Sequence, residues 1–171
     1  MKKYLLSIAI LMVAMTLVAC GDGDQEAAEE IEEIESAEQE VSNDPDDLAN
    51  EIYDNYMECM GEMQTILEGF PEPEVVKPQL EELRDEYIDV FVEIGYRVDA
   101  HDSTTIDEIG RDFWNRLLGL DSEWMGEASS HYSSVDYPTA ELIGEINIIT
   151  QYAFFDLLRE QTPEEAERLG I

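Results

Sequence analysis

The chain has 171 residues, of which 42 are Asp or Glu and 9 are Lys or Arg, for a formal net charge of -33 at pH 7. Such a chain repels a phosphate backbone, so nucleic acid is excluded as a partner, while cations and basic proteins are favoured. With only two cysteines, stability has to come from an apolar core rather than from disulfide staples.

The chain opens with Lys2 and Lys3, an apolar run from Leu5 to Val18, and the small residue Ala19 directly before Cys20. This is the layout of an export leader with a cleavage point. The run is shorter than the roughly 20 residues that span a bilayer, and a strongly polar segment follows at once. Leu17-Val18-Ala19-Cys20 resembles the lipobox of bacterial lipoproteins. The resemblance implies cleavage by signal peptidase II before Cys20, a diacylglyceryl group on its sulfur, and a mature protein held on a membrane outside the cytoplasm. It further implies that Gly21 in the sorting position favours the outer membrane where two membranes exist. Two or three acyl chains, at about 0.8 kcal/mol per buried methylene, anchor durably where one binds only marginally.

Lipidation of Cys20 leaves Cys59 as the sole thiol, so no intramolecular disulfide can form. Loss of Lys2 and Lys3 with the leader makes the mature protein more acidic still. From Gly21 to Asp47 there is no Lys or Arg, and this composition buries too little apolar surface to offset chain entropy. A disordered, solvated tether is expected, with a transient or partner-induced helix as the alternative. A flexible segment of about 27 residues reaches about 30 Å, which holds a domain clear of the lipid. After the leader the only Lys is Lys77, joined by six Arg. A lysine-poor acidic surface resembles that of proteins from salt-loving organisms, and whether habitat or a specific partner accounts for it stays open.

From Asp44 the periodicity is helical. Asp44 can cap, Pro45 suits the first helical position, and Asp46 and Asp47 favour the positive end of the dipole. Leu48, Ile52, Tyr56, Cys59, Met63 and Ile66 recur on one face, and Gly69 with Phe70-Pro71 ends the helix. Gly61, in mid-helix, is expected to permit a close crossing or a slight bend. A second helix is predicted from near Pro78 to Ala100, with Leu80, Leu83, Tyr87, Val90, Phe91 and Ile94 inward and Glu81, Glu82, Asp85, Glu86 and Asp89 outward. A third is predicted after Ser103 or Thr104, where Thr104 with Asp107 imitates a capping box. Its stripe is Ile106, Ile109, Phe113, Leu117 and Leu120, with a kink or restart at Gly119 and Asp121 before Trp124 and Met125. The SSHYSSVDYP stretch is expected to fray into a loop. Thr139 to Gln161 is apolar on most of its circumference and is predicted as the central helix. Thr162-Pro163-Glu164-Glu165 then starts a short last helix ending near Gly170.

These elements predict an all-α domain: an antiparallel four-helix bundle with a short C-terminal helix, behind the acidic tether. The expected boundaries are 1–19 for the leader, 20–47 for the lipidated Cys20 and linker, and 48–171 for the helical domain.

Chemistry is sparse. Cys59 and Met63 could offer soft sulfur ligands, but both lie on the core stripe, where they pack readily. Glu123, Glu127 and His131 fall at four-residue steps and would share a helix face, which makes them weak candidate metal ligands. The Glu-x-x-His signature of di-iron bundles is absent from both His101 and His131. Asp22-Gly23-Asp24 begins like a calcium loop, yet Ala27 stands where that loop needs Gly. No serine-hydrolase elbow, zinc-protease helix or phosphate loop is present. The sequence thus points to a non-enzymatic lipoprotein without cofactors, whose helical module binds an envelope protein, preferably a basic one. The alternative is a metal- or small-ligand-binding bundle. An exposed patch containing Trp114, Trp124, Tyr132 or Tyr137 would favour the first reading.

Overall fold

The computed structural model describes residues 42–171. The leader, Cys20, the Asp22-Gly23-Asp24 stretch and nearly all of the acidic tether lie outside the described residues. Within them every regular element is helical and there is no strand. In chain order these are α1 (Pro45–Leu67), α2 (Pro73–Val98), α3 (Ser103–Leu117), α4 (Glu123–Val135), α5 (Tyr137–Asn147), a 3-10 turn (Ile149–Ala153), α6 (Phe155–Gln161) and α7 (Pro163–Leu169). No described helix is long and apolar enough to cross a membrane.

α1 begins as its residues dictate. The Asp44 side chain accepts from the Asp46 N–H at 3.0 Å, with Pro45 in the first turn. Leu48, Ile52, Tyr56, Cys59 and Met63 are buried on one face, joined by Ala49, Met60 and Leu67, while Ile66 is only half-buried. Gly61 does not serve a crossing: it is exposed, and a Cβ built there would meet nothing within 4 Å.

α2 starts at Pro73, before the predicted Pro78, which sits inside the helix. Proline in a helix interior removes one backbone donor. Here the orphaned carbonyl belongs to Glu74, an exposed residue close to the helix start, where water can satisfy it. The inward residues Leu80, Leu83, Tyr87, Phe91 and Ile94 are buried and the five predicted acidic residues are exposed. Arg97, near the end of α2, donates to both oxygens of Glu51 on α1 and to the Ser42 carbonyl. That two-pronged contact fixes guanidinium and carboxylate in one plane and closes the α1–α2 hairpin.

The capping residue of α3 is Asp102 rather than Thr104. Its carboxylate accepts from the N–H groups of Thr104 and Thr105 at 3.0 and 3.1 Å, and these bonds hold its pKa below the usual carboxylate value. The helix stops at Leu117 and restarts at Glu123, as the Gly119 and Asp121 signals require.

Two predictions are corrected after that point. The serine-rich stretch is helical through Val135, not a loop. Ser130 and Ser133 donate their hydroxyls to the carbonyls of Gly126 and Ser129, and fully buried Tyr132 donates to the Pro71 carbonyl at 2.7 Å. This long-range anchor outweighs local propensity. The single helix expected over Thr139–Gln161 is instead α5, the 3-10 turn and α6. Ile149, Thr150, Gln151, Ala153, Phe155 and Leu158 are all buried, yet at about 100° per residue they would surround a straight helix. Two breaks, at Ile148 and at extended Phe154, turn them toward the same core.

α1 packs on α2 and α3, α2 also on α5 and the 3-10 turn, and α4 chiefly on α5. Asp136 joins α4 to α5, its carboxylate accepting from the Thr139 N–H and, at 2.6 Å, from the buried Thr139 hydroxyl. Loss of such a cap costs about 1 kcal/mol. Asp136→Ala is expected to lower the urea midpoint accordingly while Asp136→Asn retains most of the stability.

Candidate functional site

α3 is fastened by few side chains. Ile109 and Phe113 are its only buried residues, and the Phe113 ring meets Tyr56 edge-on at 6.2 Å and Phe154 at 6.4 Å. Trp114 is one residue on, which places it about 100° around the helix from Phe113, and it is 56% exposed.

Beside it runs a groove of three adjoining hollows that share wall residues. The first, about 310 Å³, lies between the start of α3 and α6, with Trp114, Phe154 and Leu157 in its walls. Those three residues also wall the second, about 300 Å³, which reaches Ile148 and Gln151. Tyr56, Leu117 and Asn147 are shared with the third, about 400 Å³, which Met57, Met60, Trp124 and Met125 also line. Unbranched methionines let such a wall adapt to different occupants.

Charge is more mixed on α3 than on α1. α1 carries Asp46, Asp47, Glu51, Asp54, Glu58 and Glu62 with no Lys or Arg, whereas on α3 Asp107, Glu108 and Asp112 stand against Arg111 and Arg116. Arg159 of α6 adds another cation, 2.9 Å from Asp156 and 3.7 Å from Asp99. These ion pairs are exposed and contribute little to stability. The walls themselves hold Asp99, Asp107, Asp121 and Asp156 against Arg111, with the charged residues gathered at the two ends and none around the middle hollow.

Of the four aromatics singled out from the sequence, Trp114 and Tyr137 are exposed, Trp124 is half-buried and Tyr132 is fully buried. Trp114 and Trp124 both line the groove. Leu118, 79% exposed at the end of α3, is a further apolar side chain on this side of the helix break.

The other proposed chemistry does not assemble. Glu123 and Glu127 are exposed, and His131 is not turned to them as a ligand but stacks on Phe70 at 4.8 Å and meets Tyr132 edge-on. No group of three or more His, Cys, Asp or Glu among the described residues could hold a metal ion. Cys59 is fully buried between α1 and its neighbours, and burial, reinforced by Glu62 and Glu86, pushes its thiol up to about 12. A buried thiol held protonated is a poor nucleophile. In a Cys20→Ser chain at pH 8, Cys59 is therefore expected to ignore Ellman's reagent until denaturant is added.

A separate concavity was not legible in the sequence. Arg84 and Asp85 of α2, Glu145 of α5, Gln151 and Tyr152 of the 3-10 turn, and Glu165 and Arg168 of α7 surround a cleft of about 750 Å³. Gln151 thus lines both this cleft and the middle of the groove. No protein family, curated protein or solved structure matches the chain.

Proposed function

We propose that the protein is a bacterial lipoprotein, anchored through diacylglyceryl Cys20, whose helical domain is a non-catalytic interaction module on the outer side of the cytoplasmic membrane. In a two-membrane cell it resides at the outer membrane. On this reading the domain is an antiparallel four-helix bundle with a short C-terminal helix, held away from the lipid by a disordered acidic tether. It engages an envelope protein and requires no cofactor. The supporting observation is the groove beside α3, where Trp114 stands exposed over apolar walls. Aromatic anchors of this kind dominate binding energy at protein interfaces. The acidic surface around the groove favours a basic partner and accelerates its approach at low salt.

Two measurements test the reading. Mass spectrometry of protein from native membranes is expected to show an acylated Cys20 terminus, and an intact leader or a lipid-free terminus would remove the anchor. Capture from the same membranes is then compared between wild type and Trp114→Ala. Truncating an interface hot spot costs about 2 kcal/mol or more, so recovery of the specific partner is expected to fall roughly thirtyfold. Equal recovery by both chains would refute the groove as the binding surface.

A further inference from the structure

The cleft around Gln151 has a different chemistry from the groove, and its reading depends neither on the anchor nor on the groove. Both of its arginines are already paired. Arg84 donates Nε and Nη2 to Asp85 at 3.0 and 2.8 Å and Nη1 to Glu145 at 3.0 Å. Arg168 donates Nε and Nη2 to Glu165 at 2.8 and 2.6 Å, and the Tyr152 hydroxyl donates to the same carboxylate at 3.2 Å. A guanidinium has five N–H donors, so both arginines keep N–H groups in hand, and Asp89 at the rim has no hydrogen bond among the described residues. Gln151 is only 9% exposed, yet its side-chain amide makes no hydrogen bond among the described residues. The amide stays open to solvent at the cavity wall, since it is not among the fully buried side-chain atoms left without a partner, and it is therefore free to bond a ligand.

The ledger selects the ligand. An anion would approach against the net charge of -33, and a cation drawn to Asp89 would share the cleft with the guanidinium groups of Arg84 and Arg168. A hydroxyl both donates and accepts, so it can use the spare arginine N–H groups, the free carboxylate oxygens and the Gln151 amide while leaving every ion pair intact. Ile88, Ile148 and the half-buried Tyr152 ring give apolar surface for the C–H face of a sugar ring. The volume lies within the range of small-molecule sites. We propose that this cleft binds a neutral polyhydroxylated ligand of the carbohydrate class.

The test uses the full-length protein, 15N-labelled and solubilised in a polyoxyethylene detergent, which has no sugar headgroup. Maltotriose, cellotriose and tri-N-acetylchitotriose are each titrated to about 10 mM, a range that detects weak binding, with glycine betaine and inorganic phosphate as charged comparisons. The expected result is a saturable shift of the Gln151 side-chain amide and the 3-10 turn with at least one sugar and with neither charged probe. Gln151→Leu and Arg168→Ala are each expected to weaken that binding about tenfold, the effect of one lost hydrogen bond, while Trp114→Ala leaves it unchanged. Arg168 is an exposed side chain, so its variant keeps the test valid if Gln151→Leu fails to fold. No saturable shift with any of the three sugars, binding that survives both cleft variants, or preferential binding of phosphate or betaine would each overturn the assignment.

Discussion

Gly95→Ala is expected to destabilise the domain by about 3 kcal/mol, the upper end of the range for overpacked cores. Helix propensity alone would predict the opposite, since alanine is better than glycine in a helix interior by about 1 kcal/mol. The packing decides the sign. A Cβ on Gly95 would stand 2.7 Å from the Tyr152 carbonyl oxygen and 2.8 Å from Cζ of Phe155, which also touches it through Cε1. A side-chain ring can rotate aside, but the backbone of the 3-10 turn cannot withdraw without dragging Ile149 and Ala153 out of the core. Urea denaturation checks this: the midpoint should fall with the slope unchanged. Gly61→Ala is the matched comparison, because its Cβ meets nothing, and a gain of about 0.5–1 kcal/mol is expected there. Equal effects at the two glycines would refute the close approach of α2 and the 3-10 turn.

Phe113→Ala is the second large effect. Removing a buried phenylalanine costs about 3–5 kcal/mol, a large fraction of the roughly 5–15 kcal/mol that holds a domain folded. The loss should be local as well as global. With Phe113 gone, Ile109 is the only fully buried residue left on α3, so amide exchange along Ser103–Leu117 should accelerate more than exchange in α2. Trp114→Ala, one residue away but 56% exposed, should barely move the unfolding midpoint. That contrast separates a residue that holds the groove wall in place from one that forms its surface.

The legibility of the fold varied with how one-sided each helix is. α1 could be read because its cap, its proline and its stripe agree, and burial follows the stripe from Leu48 to Met63. The Thr139–Gln161 segment could be recognised as helical, but apolar residues on every side carry no phase from which to place a break. Where it breaks, Tyr152 and Phe155 sit against a notch in another element, Gly95 of α2, and nothing in the local sequence encodes that. The serine-rich part of α4 was misread for the same reason, since its anchor is the bond from Tyr132 to Pro71, 61 residues away. Trp114 was visible as an aromatic, and its position one step off the Ile109–Phe113 stripe signals exposure. The cleft left no such trace, because Arg84, Gln151 and Arg168 come from three separate elements and meet only in the folded chain.

Two residues, Ile148 and Gln151, line both the groove and the charged cleft. An occupant of one concavity that pulls the Gln151 side chain toward itself would change the shape offered to an occupant of the other. Such linkage is symmetric: whatever factor a sugar imposes on the affinity for a protein, the protein imposes on the affinity for the sugar.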